Sequence, residues 1–110
     1  MYTHARRSDP DVQELRRAAG DWLRKLREHR GLSQRDLARL VGADYYTFIS
    51  QLEMGRGRVP PDRYKIWADA LGVPPKVLVK TLLRYYDPVT YGVLFEDESP
   101  DGEPVAKSAD

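Results

Sequence analysis

Apolar side chains recur early in this chain at Val12, Leu15, Ala19, Trp22, Leu23 and Leu26, spacings of three, four and one that put them on one stripe of an α-helix. Asp9 can cap that helix, Pro10 suits its first position, and Asp11 and Glu14 place acid in its first turn. The pattern predicts a long first helix to about Arg30, with Gly20-Asp21 as a candidate break. Residues 1–8 carry no such pattern and read as a disordered terminus in which Arg6 and Arg7 brush an anionic partner or keep the end soluble. A second helix opens at Ser33, a good N-cap with Asp36 at the third helical position, and runs to about Val41, where Gly42 supplies a turn. A third starts from Asp44, whose carboxylate can cap it, and stops near Gly55. Pro61 opens a helix through Tyr64, Trp67, Ala70 and Leu71 that ends at Gly72, and Pro75 opens one through Val77, Leu78, Leu82 and Tyr86. Asp87-Pro88 is a further cap-and-start pair, so Val89 to Phe95 reads as a short helix, with a strand as the alternative because Val, Thr, Tyr and Phe favour one. The fold class is all-α.

The third helix has two unlike faces. Phe48, Ile49 and Leu52 fall at i, i+1 and i+4 and can pack on Leu37, Ala38 and Val41 of the helix before. Tyr46, Thr47, Ser50 and Gln51 fall on the other side, and all four end in hydrogen-bonding groups. A glutamine amide can pair in two-pronged fashion with adenine, a threonine methyl can touch thymine's methyl, and hydroxyls serve bases or phosphates. Just beyond, Arg56-Gly57-Arg58 puts two arginines on glycine-rich backbone before the Pro60-Pro61 break, suited to lie along a sugar-phosphate strand.

Over Leu23 to about Leu71 the chain resembles the Cro/CI-like, or Xre-type, helix-turn-helix regulators. The resemblance is carried by Leu32-Ser33-Gln34, Leu37-Ala38, Gly42, Ile49-Ser50, Leu52-Glu53, Gly55, Arg58 and the Pro60-Pro61 pair. It implies a five-helix domain, here residues 9–81, to which the residue pattern adds an N-terminal helical extension longer than the family minimum and a short C-terminal helix. It also implies that Gln34 binds a phosphate and that Tyr46, Thr47 and Gln51 read bases, with Ser50 on the same face. Arg35, Tyr45, Arg56 and Arg58 complete the expected phosphate set. An internal ion pair between Arg27 and Glu53 is implied as well, as is binding as a homodimer to near-palindromic double-stranded DNA. One departure stands out: the stretch from Gly42 to Ile49 is one residue longer than the usual turn. Counting back from Ile49 puts Tyr46 and Thr47 in the reading positions, and counting forward from Gly42 puts Tyr45 and Tyr46 there. The first count is preferred because it keeps Phe48 and Ile49 on the buried face and lets the turn absorb the extra residue.

A net charge of +1 over 110 residues looks small for a DNA binder. The average hides an acidic end, since residues 96–110 hold six acidic side chains against one lysine and residues 1–95 carry a net +6. That end, rich in acid, Pro, Gly and Ser, is expected to be a disordered tail, either solubilising or competing with phosphates for the basic face. Thirteen of the basic residues are arginine, whose fork suits phosphate. There is no cysteine, so a disulfide framework and a zinc finger are excluded, and His4 and His29 have no acidic or histidine partner at ligand spacing, so no metal or cofactor is expected. No signal-like start or apolar run of membrane-spanning length appears, and a cytoplasmic setting is expected. Residues 82–95 hold too many apolar and aromatic groups for a solvated segment, and they call for burial on the first helix's extension or in a dimer interface. Three readings follow. The first is a sequence-specific transcriptional regulator, and the second an antitoxin-like protein that holds a protein partner through residues 82–95 and regulates itself. Catalysis is set aside, because Glu14, Asp21 and Glu28 on one helix side have no nucleophile, phosphate loop or ligand cluster beside them.

Overall fold

The computed structural model describes residues 3–96, with side chains from residue 12 onward, so most of the acidic tail lies outside the described residues. Among the described residues there are six α-helices: α1 (Thr3–His29), α2 (Gln34–Val41), α3 (Tyr46–Glu53), α4 (Tyr64–Leu71), α5 (Pro75–Tyr86) and α6 (Pro88–Phe95). Among the described residues there is no strand, and Val89 to Phe95 is helical, started by Asp87, whose carboxylate accepts from the backbone N–H of Thr90 at 3.1 Å and from its hydroxyl at 2.7 Å. Pro61–Arg63 forms a single 3-10 turn before α4, so the helix expected from Pro61 settles into α-geometry only at Tyr64.

The start of α2 is a reciprocal cap. Ser33 Oγ accepts from the N–H of Asp36 at 2.9 Å, and Asp36 accepts from the N–H of Ser33 at 2.9 Å. Its end is Gly42, at φ +72°, a left-handed conformation that costs a residue with a Cβ roughly 1–2 kcal/mol.

Two expectations for α1 are corrected. It begins at Thr3, not after Asp9, so residues 3–8 are helical; Ala5, Arg6 and Arg7 are good helix formers and carry the helix back past the local start signal. It also runs unbroken through Gly20-Asp21. Gly20 is there for contact: a β-carbon on it would sit 2.5 Å from the carbonyl oxygens of Leu52 and Glu53, so only glycine lets α1 cross the end of α3 this closely.

The core gathers around Trp67, with Leu23 of α1, Leu37 of α2, Ile49 of α3, Leu71 of α4 and Leu78 and Leu82 of α5 all buried. α1 packs on α3 and α5, and α4 joins α2 to α5. The aromatic C-terminal segment divides. Leu82 is fully buried and Tyr86 lies against the core, whereas α6 packs chiefly on α5 and has no buried residue. Val89 and Val93 are each 77% exposed, and Leu94 and Phe95 are also open. Packing of the whole of residues 82–95 on the first helix is therefore corrected: the part before Asp87 reaches the core, while α6 rests on α5 and leaves much of its apolar surface open.

Candidate nucleic-acid interface

α3 has only eight residues, too few to be stable alone, so its position depends on what grips it. Ile49 and Leu52 are buried against the core and contribute roughly 1.5–3 kcal/mol each. Its last residue, Glu53, is held from two other helices. Arg27 of α1 donates from Nε to Glu53 Oε2 at 2.6 Å and from Nη2 to Oε1 at 3.0 Å, and its Nη1 donates to the Leu32 carbonyl at 2.7 Å. Gln34 of α2 donates its amide to Glu53 Oε1 at 3.0 Å. Only 10% of the Arg27 side chain and 5% of the Glu53 side chain meet solvent. The hydrogen-bonded carboxylate raises the pKa of Arg27 above the ordinary arginine value, against the opposing effect of burial. The expected Arg27 and Glu53 pair is thus present, and Gln34, expected at a phosphate, puts an amide hydrogen into the same clamp.

A turn from Gly42 to Tyr45 precedes α3. The expected Asp44 cap is corrected: Tyr45, in extended backbone at φ −133° and ψ 139°, occupies the N-cap position and gives no side-chain hydrogen bond, so the helix starts one residue later than Asp44 would start it. Phe48 is also corrected. It lies at the edge of the apolar arc and is 38% exposed, while Ile49 and Leu52 fill the buried side.

The outer side of α3 carries Tyr46, Thr47, Ser50 and Gln51, as the spacing predicts, and they line adjoining grooves. Thr47 and Gln51, one turn apart, line an open groove with Phe48, Pro60 and Arg63. Tyr46 lies under Arg35 of α2, whose guanidinium carbon is 4.5 Å from the ring centroid, and Tyr45 beside it is 74% exposed. Ser50, between Tyr46 and Thr47 on the helical arc, lines a second groove with Gln34 and Arg56. Arg56 is exposed between two left-handed glycines, Gly55 at φ +85° and Gly57 at φ +86°. Arg58 stacks on Tyr86 at 4.7 Å, and Arg16 approaches the same ring at 5.6 Å. The Tyr86 hydroxyl accepts from the N–H of Val59 at 3.2 Å, and burial pushes its pKa up.

Reading the sequence missed three side chains at these surfaces. Met54, 49% exposed, follows Ser50 by four residues and was findable from helical spacing. Exposed Phe48 sits at a boundary that spacing alone leaves ambiguous. Arg63 reaches its groove through the 3-10 turn after Pro60, and no periodicity marks it.

Arginines and hydroxyls around a two-faced short helix, on a scaffold of this kind, suit a phosphate-bearing duplex with readable base edges. No helix among the described residues is long and apolar enough to cross a membrane. None of the curated proteins matches the chain. A family model described as a helix-turn-helix domain matches residues 18–82, more than half of the length. The chain therefore belongs to the helix-turn-helix domain family, consistent with the Cro/CI-like resemblance, a family of DNA-binding domains that typically carry out no catalysis.

Proposed function

We infer that this protein is a sequence-specific transcriptional regulator of repressor type that binds a near-palindromic operator as a homodimer in the cytoplasm of a bacterial or phage-type host. The observation that carries the reading is the polar outer side of α3 held rigidly by the Arg27, Glu53 and Gln34 clamp. In this reading Thr47 and Gln51 contact bases, with Tyr46 and Ser50 beside them on the same helix. Arg35, Tyr45, Arg56 and Arg58 meet phosphates, and Gln34 joins them through whatever its clamp leaves free. The exposed Val89, Val93, Leu94 and Phe95 of α6 supply the dimer contact.

Selection of bound sequences from a random duplex pool tests this, and a motif of two related half-sites is the expected product. On that motif Gln51→Ala should cost about 1–3 kcal/mol, with little change on random DNA. Equal losses on both would remove Gln51 from base reading. If no sequence is enriched by folded protein, specific regulation by this chain alone is wrong. The open face of α6 also favours a second reading, an antitoxin-like protein that covers that face with a different protein and uses DNA only to regulate itself. Co-purification of a partner that is lost on deleting residues 88–110 would support it.

A further inference from the structure

The first helix runs past the N-terminal edge of the matched helix-turn-helix region, which begins at residue 18. Where it does so it touches the loop that follows α3. A β-carbon on Gly55 would lie 2.9 Å from both the Cα and the backbone nitrogen of Arg17, so these two segments meet backbone to backbone. Gly20, one helical turn on, makes a still closer crossing over the carbonyls of Leu52 and Glu53. Arg17 is thereby fixed beside Arg56, the residue after Gly55.

Both arginines line one open groove, together with Arg24, Gln34 and Ser50. The carboxylates in that groove are already committed. Asp21 pairs with Arg24 and with Lys25, and Glu53 is held by Arg27 and Gln34. Among the described residues neither Arg17 nor Arg56 makes an ion pair. The groove therefore brings together guanidinium groups without counter-charge and an amide and a hydroxyl that hydrogen-bond. That combination suits the oxygens of a phosphodiester strand, and Ser50 makes it continuous with the outer side of α3.

We propose that this groove is a backbone-binding site of the DNA interface, with Arg17 as a phosphate contact contributed by the extension of α1. The inference rests on the DNA-binding reading above and lengthens its footprint by a phosphate beyond the helix-turn-helix unit itself.

The test uses the full chain and a duplex recovered by selection, with affinity measured from about 50 to 300 mM salt for wild type, Arg17→Ala, Arg17→Lys and Arg56→Ala. Arg17→Ala should reduce the slope of log affinity against log salt by about 0.9, weaken binding about threefold or more at the low-salt end, and do so on specific and random duplexes alike. Arg17→Lys should recover most of the slope, since a lysine ammonium also neutralises a phosphate. An unchanged slope in Arg17→Ala, while Arg56→Ala lowers its own, overturns this inference and leaves the regulator reading standing. A weaker Arg17→Ala that also melts at lower temperature and is not recovered by Arg17→Lys assigns Arg17 to packing and equally overturns it. Wild type that binds no duplex at any salt overturns both.

Discussion

Removing the Arg27 guanidinium should damage this domain more than removing any one reading residue, and the structure sets the size of the effect. Arg27→Ala deletes two charge-assisted hydrogen bonds to Glu53 and one to the Leu32 carbonyl. It leaves Glu53, with 5% of its side chain exposed, holding only the Gln34 amide. Orphaning one charge of a buried pair costs about 3–5 kcal/mol. Domains of this size are stable by about 5–15 kcal/mol in total, so the variant should be close to unfolding or only marginally folded. With a denaturant slope of about 2 kcal/mol per molar urea, the midpoint should fall by roughly 2 M.

Two further variants separate the ion pair from the volume it fills. Arg27→Lys keeps the charge but cannot span both carboxylate oxygens, and it should lie between wild type and Arg27→Ala. The double replacement Arg27→Met with Glu53→Met removes both charges and should recover much of the stability that either replacement loses alone. A loss below about 1 kcal/mol in Arg27→Ala, the range of exposed pairs, would refute the reasoning. So would strict additivity in the double variant, because the cost is argued to come from the stranded partner.

Gly20→Ala should lower the melting temperature despite alanine's better helix propensity, since its β-carbon meets two carbonyl oxygens at 2.5 Å; overpacking of this kind costs about 1–3 kcal/mol, and a melting scan showing stabilisation would contradict the contact. Val93→Glu, on a residue 77% exposed in the single chain, should leave folding intact but reduce the sedimenting mass to that of a monomer; an unchanged dimer would place the interface elsewhere. The carboxyl of Asp36 is held below the ordinary range first by the Ser33 N–H and then by the Ser33 hydroxyl, and that of Asp87 by the hydroxyl and N–H of Thr90. Because both pKa values are lower in the folded chain, their stabilisation is complete above about pH 4 and is lost as pH falls through the folded values, so melting temperature should drop in acid and drop less steeply in Asp36→Asn.

What the sequence made legible was mostly what adjacent residues decide. Ser33 with Asp36, Gly42, Gly72, Pro75 and Asp87-Pro88 each act within one turn of chain, and each marks the boundary of the helix it signals. The Arg27 and Glu53 pair came from resemblance instead, since 26 residues separate its members and no local rule joins them. Illegible features were those set by tertiary approach. Gly20 looked like a helix break because a glycine in a helix is weakening by itself, and only the crossing by α3 gives it a use. Arg58 read as a loop arginine for a phosphate strand, and nothing in the sequence placed it over Tyr86, which lies far along the chain at the end of α5. α6 is helical as its start signal predicts, but no pattern within it could say that the chain offers its apolar side no full cover.

The same division explains how a helix of eight residues can present variable chemistry without losing its place. α3 receives no side-chain cap from Tyr45, and its outer side chains contribute little to the core. Its position is determined instead by Ile49 and Leu52 below, by Glu53 clamped to α1 and α2, and by the glycine crossings at Gly20 and Gly55. None of these contacts uses Thr47 or Gln51. Replacing either should therefore change which duplex is preferred while moving stability by no more than about 0.5 kcal/mol, the usual range for surface substitutions. The clamp and the crossings behave oppositely, since disturbing them tilts or frees the whole helix and every contact it makes at once. A set of Thr47 and Gln51 replacements whose preferred duplexes change but whose melting temperatures stay together would establish that separation. Melting temperatures that fall in step with affinity would mean that the outer side of α3 also supports the fold, and the split between holding and reading would fail.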